Sequence, residues 1–206
     1  MARSKKKVEE EKATKEEINL NTKSAARDMF KEYGPFIIAI IFILVIRIFI
    51  ASPFRVDGTS MFPTLQDGDY MILYKLKKRV KGIERFDVVV VDYTEGQIIK
   101  RVIGLPNEFI KYEVKDVDGV RKGILYVDNK VVEEEFISDD AKIATCSRTA
   151  DVCTNGIQLG ENEYFVMGDN RAVSLDSRAL GAFNIKKIRG LAELRVFPFN
   201  KFGSIK

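Results

Sequence analysis

The chain has no histidine and no tryptophan among its 206 residues. Without histidine there can be no Ser-His-Asp or Cys-His arrangement, and the commonest transition-metal ligand is missing, so any catalytic proton transfer must use another side chain. Cysteine is scarce too: Cys146 and Cys153, in TCSRTADVC, are the only two. They are too few for a zinc site and wrongly spaced for a CxxC redox pair, which leaves a local disulfide or two free thiols. A large excess of one charge is also lacking, since 34 Lys and Arg face 30 Asp and Glu for a net charge of +4, and composition does not point to nucleic acid. What remains is ordinary for a folded protein, 46% hydrophobic and 31% charged, which excludes disordered, collagen-like and disulfide-dense classes. The length suits one domain with a tail or anchor and is too short for two complete enzymatic domains.

Residues 1–34 carry nine Lys/Arg and seven Asp/Glu, with KKK at 5–7 and EEE at 9–11, and read as a solvated tail. Residues 35–51, PFIIAIIFILVIRIFIA, hold one charge, Arg47, and are apolar on every helical face. The run matches the lower end of the roughly 17–25 residues that span a bilayer, with Arg47 near enough to its end to snorkel. A buried core helix is the competing reading, but no second helical layer follows to cover it. A cleaved signal sequence is another, but Ser52-Pro53-Phe54-Arg55 makes a poor cleavage exit. Arg27, Lys31 and further basic residues precede the run and only Arg55 lies just beyond it, which predicts a cytoplasmic tail and residues 52–206 outside.

Past Ala51 the pattern is of short strands: Tyr70–Leu76, Asp87–Tyr93, Gln97–Leu105, Phe109–Val114, Gly123–Val127, Glu163–Met167 and Leu191–Phe197. No long amphipathic helix competes with them. Asp128-Asn129, between LYV and KVV, predicts a two-residue hairpin turn because both residues tolerate positive φ. The expected domain is mainly β.

Four segments bear on chemistry. In Gly58-Thr59-Ser60-Met61-Phe62-Pro63-Thr64-Leu65 a serine stands between a flexible glycine and a stiffening proline, a pattern that most often makes a plain turn but can also present a hydroxyl. In Ile98-Ile99-Lys100-Arg101-Val102-Ile103-Gly104-Leu105-Pro106, two adjacent cations lie on a hydrophobic strand, and period-two alternation sends them to opposite faces, one of them inward. Lys100 either points to solvent from an edge strand or is buried, and burial would lower its pKa and free a neutral amine to deprotonate a serine. Residues 166–181, VMGDNRAVSLDSRALG, read either as a loop or as a packed polar network pairing Asp176 with Arg178. The fourth, ERFDVVVV at 84–91, reads as a turn feeding a buried strand.

Together these segments resemble the type I signal peptidases, especially single-anchor Gram-positive members, from the anchor to about Phe197. SMFPTL at 60–65 is similar to the family's nucleophile segment, FDVVVVDY at 86–93 to its first core strand, KRVIGLP at 100–106 to its lysine segment, and GDNRAVSLDSRALG at 168–181 to its last signature. The resemblance implies a signal-peptidase-like β core of antiparallel sheets behind an N-terminal transmembrane helix, with neither cofactor nor metal. It implies that Ser60 attacks the substrate carbonyl and Lys100 takes its proton, with the Ser60 amide helping to form the oxyanion hole. Ser174 would orient Lys100, while Asp169, Asn170, Arg171, Asp176 and Arg178 would hold the active-site loop. Implied substrates are secretory preproteins cut after an Ala-x-Ala-like site, with the lipid bilayer and the secretion translocon as surroundings. By their flanking positions in sequence, Val56, Met61, Leu65 and Ile99 are the candidate pocket walls. The apolar surface near Met61 and Phe62 is a candidate contact with the outer leaflet.

The sequence departs from the family pattern at three places. Gly58 stands where some members have a serine thought to complete the oxyanion hole; Asn107 follows Pro106 where glycine is usual; and Ala172-Val173 replaces more polar residues. Two other functional readings share the expected core. A self-cleaving Ser/Lys regulator would need a DNA-binding module, for which residues 1–34 show no helix-turn-helix pattern. An inert membrane-tethered scaffold has no evident reason to keep Ser60, Lys100, Ser174, Asp176 and Arg178 together.

Overall fold

Helix α1 (Met29–Ile50) starts upstream of the apolar run and passes through Pro35, which cannot donate a backbone hydrogen bond to residue 31. The structure, a computed structural model, describes residue 27, residues 29–137 and residues 151–205. At 1.5 Å per residue the 22 residues of α1 span roughly 33 Å, enough to cross a hydrocarbon layer. Its last turn, Ile46–Ile50, is a π-helix. Phe36, Ile38, Phe42 and Ile43 are each more than 60% exposed, so the apolar residues are not covered by protein. The chain divides into compact units at Met1–Ile48 and Phe49–Lys206, a division that falls inside the segment expected to be the anchor.

The second unit is built from antiparallel strands. One sheet has β1 (Ala51–Arg55), β2 (Tyr70–Tyr74), β3 (Val88–Tyr93), β4 (Gly96–Gly104), β9 (Glu163–Met167), β10 (Phe183–Asn184), β11 (Ile188–Phe197) and β12 (Gly203–Ser204). Its order is β1-β2-β11-β3-β4-β9-β10, with β12 on β11. The other comprises β5 (Phe109–Val117), β6 (Val120–Val127), β7 (Lys130–Val131) and β8 (Ile157–Gln158), ordered β7-β6-β5-β8. The short helices are α2 (Lys75–Val80), α3 (Asp151–Thr154) and α4 (Ser177–Leu180).

β3 explains its own unbroken valine run. It lies between β11 and β4, and its alternate residues enter different cores: Val88 and Val90 pack with Met61, Leu65, Met71 and Ile99, while Val89 and Val91 pack with Val102, Tyr164, Val166 and Leu191. A third core, with Ile103, Ile110, Tyr112, Leu125, Phe165 and Met167, joins the two sheets. The expected turn at Asp128-Asn129 forms with φ of 49° and 64°, and Asn107 adopts φ of 66°.

Some elements differ from the sequence expectation. The strand expected to run to Leu76 stops at Tyr74, and the run of lysines after it turns into α2, whose long side chains favour helix over strand. The strand pattern does not mark β1, β8, β10 and β12, three of them being only two residues long and β1 containing Pro53, whereas β7 is the KVV arm of the expected hairpin. Asp118-Gly119, at φ of 54° and 79°, closes a β5–β6 hairpin that joins what the pattern placed as separate shorter strands. Cys153 on α3 is disulfide-bonded; Cys146 lies outside the described residues.

Candidate active site

Ser60 lies in the loop that joins β1 to β2. Val56 closes its base, donating to Asp69 O at 2.8 Å and accepting from Gly68 N at 2.9 Å, in continuation of the Arg55–Tyr70 strand pair. Within the loop, Phe62 N reaches Thr59 O at 3.1 Å and Leu65 N reaches Met61 O at 2.9 Å, so Ser60 occupies a tight turn. Gly58, at φ of 88°, supplies a left-handed step, and its amide donates to Asp67 Oδ1 at 2.7 Å. That amide is therefore already engaged and does not replace the missing serine donor. The Ser60 N–H finds no acceptor among the described residues.

Strand β4 brings the base. Its pairing with β3 sets Lys100 opposite Val89 and Arg101 opposite Val88, on opposite faces, and because both faces are covered both cations are buried, at 2% and 1% exposure. Lys100 Nζ contacts Ser60 Oγ at 2.7 Å and donates to Ile99 O at 2.9 Å. Burial lowers the Lys100 pKa from 10.5 to about 8; Asp176 and Asp169 oppose this and Arg178 adds to it. A substantial fraction of Lys100 is thus a neutral amine at mildly alkaline pH, in contact with a hydroxyl.

The 168–181 loop follows β9, which pairs with β4 so that Arg101 faces Met167. Asp169 takes the Arg101 guanidinium in two hydrogen bonds, 2.9 and 2.7 Å, deep in the interior. The same guanidinium donates to Phe86 O and lies over the Phe136 ring with its carbon 4.1 Å from the centroid. Asn170 ties the loop to the nucleophile turn, its N–H donating to Ser60 O at 3.0 Å and its side chain to Thr59 O at 3.2 Å. Gly168 fits where nothing larger would: a Cβ there would meet Ser174 Oγ at 2.2 Å and Ser60 O at 2.5 Å.

Arg171 and Arg178 brace this loop from behind. Arg171 Nε donates to Gly168 O at 3.0 Å, and its guanidinium makes a two-pronged pair with Glu134. Arg178 pairs with Asp176 at 2.9 and 3.0 Å and donates to Arg171 O at 2.8 Å. Asp176 also accepts from Gly168 N at 3.0 Å; burial alone would raise its pKa, but Arg178 and the Gly168 amide hold it below the usual carboxylate range.

The structure thus gathers Ser60, Lys100, Asp169, Asn170, Arg171, Asp176 and Arg178 into one hydrogen-bonded assembly. Ser174 lies beside Gly168, but its Oγ is buried without a hydrogen-bond partner of good geometry and does not reach Lys100. Val56, Met61, Leu65 and Ile99 do come together, but as a packed core at 4% exposure or less and not as open walls. Glu134 and Phe136 escaped the sequence reading. Glu134 sits in a run of three glutamates, and only its buried partner 37 residues away distinguishes it from a solvated face.

A family model described as "Signal peptidase, peptidase S26" matches residues 29–197. The chain is 36% identical to Signal peptidase I of Bacillus licheniformis over 90% of its own length and 96% of the relative's. With Signal peptidase I T of Bacillus subtilis the figures are 34%, 93% and 99%, and with Signal peptidase I of Streptococcus pneumoniae 32%, 86% and 98%. The chain belongs to the signal peptidase family, peptidase S26, and is a serine endopeptidase.

Proposed function

We propose that the protein removes signal peptides from secretory preproteins after an Ala-x-Ala-like site, with Ser60 as nucleophile and Lys100 as general base. The observation that carries this reading is the 2.7 Å contact between Lys100 Nζ and Ser60 Oγ on a lysine that burial has moved to about 8. When the amine is neutral, the hydroxyl becomes the donor across the same separation.

Ser60 Oγ bonds to the scissile carbonyl carbon as its proton passes to Lys100. The carbonyl oxygen takes up the negative charge, next to the Ser60 N–H that has no other acceptor among the described residues. The Lys100 ammonium then protonates the departing amine of the mature protein as the C–N bond breaks, leaving the signal peptide as an ester on Ser60. Water attacks this ester, giving a proton to Lys100 that passes to Ser60 Oγ as the acid leaves. Low exposure keeps the amine desolvated throughout. Ser174 would orient Lys100 only if its side chain turned about Cα–Cβ to bring Oγ to the amine, and Asp169, Asn170, Arg171, Asp176 and Arg178 would hold the loop that docks on the Ser60 carbonyl.

Helix α1 fits a membrane anchor, which would place the substrate's cleavage site and the catalytic unit at one bilayer surface. The basic tail before it favours a cytoplasmic N-terminus with the catalytic unit outside, close to preproteins leaving the translocon. Beneath the turn, Val56, Met61, Leu65 and Ile99 would support the Ser60 turn as packed core, out of reach of a substrate side chain. Ser60→Ala and Lys100→Ala are each expected to abolish cleavage and to keep the circular dichroism spectrum of the parent; turnover retained by either variant would remove that residue from the mechanism.

A further inference from the structure

Two aliphatic side chains stand in the open beside the catalytic centre. Val173 is 62% exposed and Leu175 is 46% exposed, and they flank Ser174 in the 168–181 loop. Ser174 is close to the nucleophile turn, because its Oγ and the Ser60 carbonyl oxygen both border the methyl-sized space that a Cβ on Gly168 would occupy. From Ala172 to Leu175 the loop bears no charge, at the place where the sequence departs from a more polar family pattern.

The turn that carries these side chains is well fixed. Val173 N donates to Asn170 O at 3.3 Å and Ser174 N to the same oxygen at 3.1 Å, while Asn170 N holds the Ser60 carbonyl. Asp176, the residue after Leu175, is locked by Arg178 at 2.9 Å. Neither Val173 nor Leu175 belongs to any of the three cores, so folding does not account for their aliphatic character.

The reaction assigns this stretch to one side of the substrate. Lys100 Nζ has to reach two groups in turn, the Ser60 hydroxyl and the departing amine, so the amine and the chain attached to it lie on the Lys100 side of the scissile bond. The 168–181 loop borders that side: the carboxylates of Asp169 and Asp176 are close enough to act on the Lys100 charge, and Asp176 is tied to Gly168 N at 3.0 Å. A mature segment that begins at the amine therefore runs out along this loop, past Ser174 and its two aliphatic neighbours.

We propose that Val173 and Leu175 form an apolar contact for the first two residues of the mature protein and so determine specificity on the leaving-group side of the cut. The proposal rests on the reading of Ser60 and Lys100 as nucleophile and general base. Its occupant is an extended peptide with aliphatic or aromatic residues just after the scissile bond. A charged side chain there would lose water against Val173 and Leu175 and find no partner. Among preproteins with equally good Ala-x-Ala sites, the start of the mature sequence would then set the rate of cleavage.

Full-length protein in a non-ionic detergent would be given two soluble peptides that share one Ala-x-Ala site and differ only after it, one continuing Leu-Phe and the other Ser-Asp. The expected result is a kcat/KM ratio of roughly fivefold to twentyfold in favour of the Leu-Phe peptide, the range that partial burial of two aliphatic side chains supports. Val173→Asn combined with Leu175→Asn should bring this ratio close to one, and Val173→Thr, which keeps the side-chain shape and covers the case of a double variant that does not fold, should lower it part of the way. Val131→Asn, at a valine of similar exposure on β7, should leave the ratio as it is.

Equal rates on the two peptides by a parent that cuts both would overturn this specificity and leave the peptidase reading standing. A preference that survives in the Val173 and Leu175 variants would overturn it too, and would assign the selection to another surface. Parent protein that cuts neither peptide would overturn the reading of Ser60 and Lys100, and the inference with it.

Discussion

Lys100 Nζ lies 2.7 Å from Ser60 Oγ although 40 residues separate the two in the chain. Their meeting depends on a loop closed at its base by Val56, a strand whose register turns Lys100 inward, and the Asn170 amide docked on the Ser60 carbonyl. Each of these supports can be tested.

Activity should depend on the protonation of Lys100. With its pKa lowered to about 8 by burial, kcat/KM should rise tenfold per pH unit below that value and level off above it. A profile that stays flat between pH 6 and pH 9 would contradict the assigned base; kcat/KM measured on a synthetic peptide would decide.

The same burial makes Lys100 a thermodynamic burden. The folded pKa of about 8 lies below the ordinary 10.5, so the unfolded chain binds more protons between those values and stability should rise with pH across that window. At neutral pH the protonated lysine costs about 3 kcal/mol relative to its unfolded state. Lys100→Met should therefore be inactive yet more stable than the parent at pH 7, by about 1–3 kcal/mol, with the advantage shrinking toward pH 10. Chemical denaturation at pH 7 and pH 10 reads both quantities.

Gly168→Ala should damage the site without altering any catalytic group. The added methyl would lie 2.5 Å from the Ser60 carbonyl oxygen, a backbone atom held by the Asn170 amide, so the loop must move. Overpacking of this kind costs about 1–3 kcal/mol, and the displacement of Ser60 should cut kcat more than it raises KM. Thermal unfolding together with steady-state kinetics would check it.

Glu134→Ala would strand the buried Arg171 guanidinium, whose Nε holds the Gly168 carbonyl. Loss of one partner of a buried ion pair is worth about 3–5 kcal/mol, so a sharp fall in Tm accompanied by reduced turnover is expected. Replacing both Glu134 and Arg171 with apolar residues should recover part of the stability and little of the activity.

These supports differ in how far the sequence displays them. The valines of β3 and the Asp128-Asn129 turn are local patterns of pleat and φ, so they can be read from a few consecutive residues. Ser60 and Lys100 stand out through resemblance, but the burial of Lys100 depends on β3 and β9 flanking β4, which no local pattern encodes. Glu134 pairs across 37 residues, and Phe136 covers Arg101 from the same distant segment. Nearness to Ser60 and Lys100 in sequence finds the neighbourhood of Val56, Met61, Leu65 and Ile99 but not their depth, because their burial comes from packing against Met71, Val88 and Val90, which are distant from the nucleophile loop in sequence. Helix α2 was hidden because YMILYKL continues the strand pattern, and the run of lysines behind it has no cap signal.

The most direct test of the Ser60–Lys100 account is to incubate detergent-solubilised full-length protein with a preprotein carrying an Ala-x-Ala site, beside a Ser60→Ala control, and to map the product N-terminus by mass spectrometry. Cleavage immediately after the last alanine, absent from the control, is the expected result; cleavage that persists in Ser60→Ala, or none by the folded parent, would contradict it.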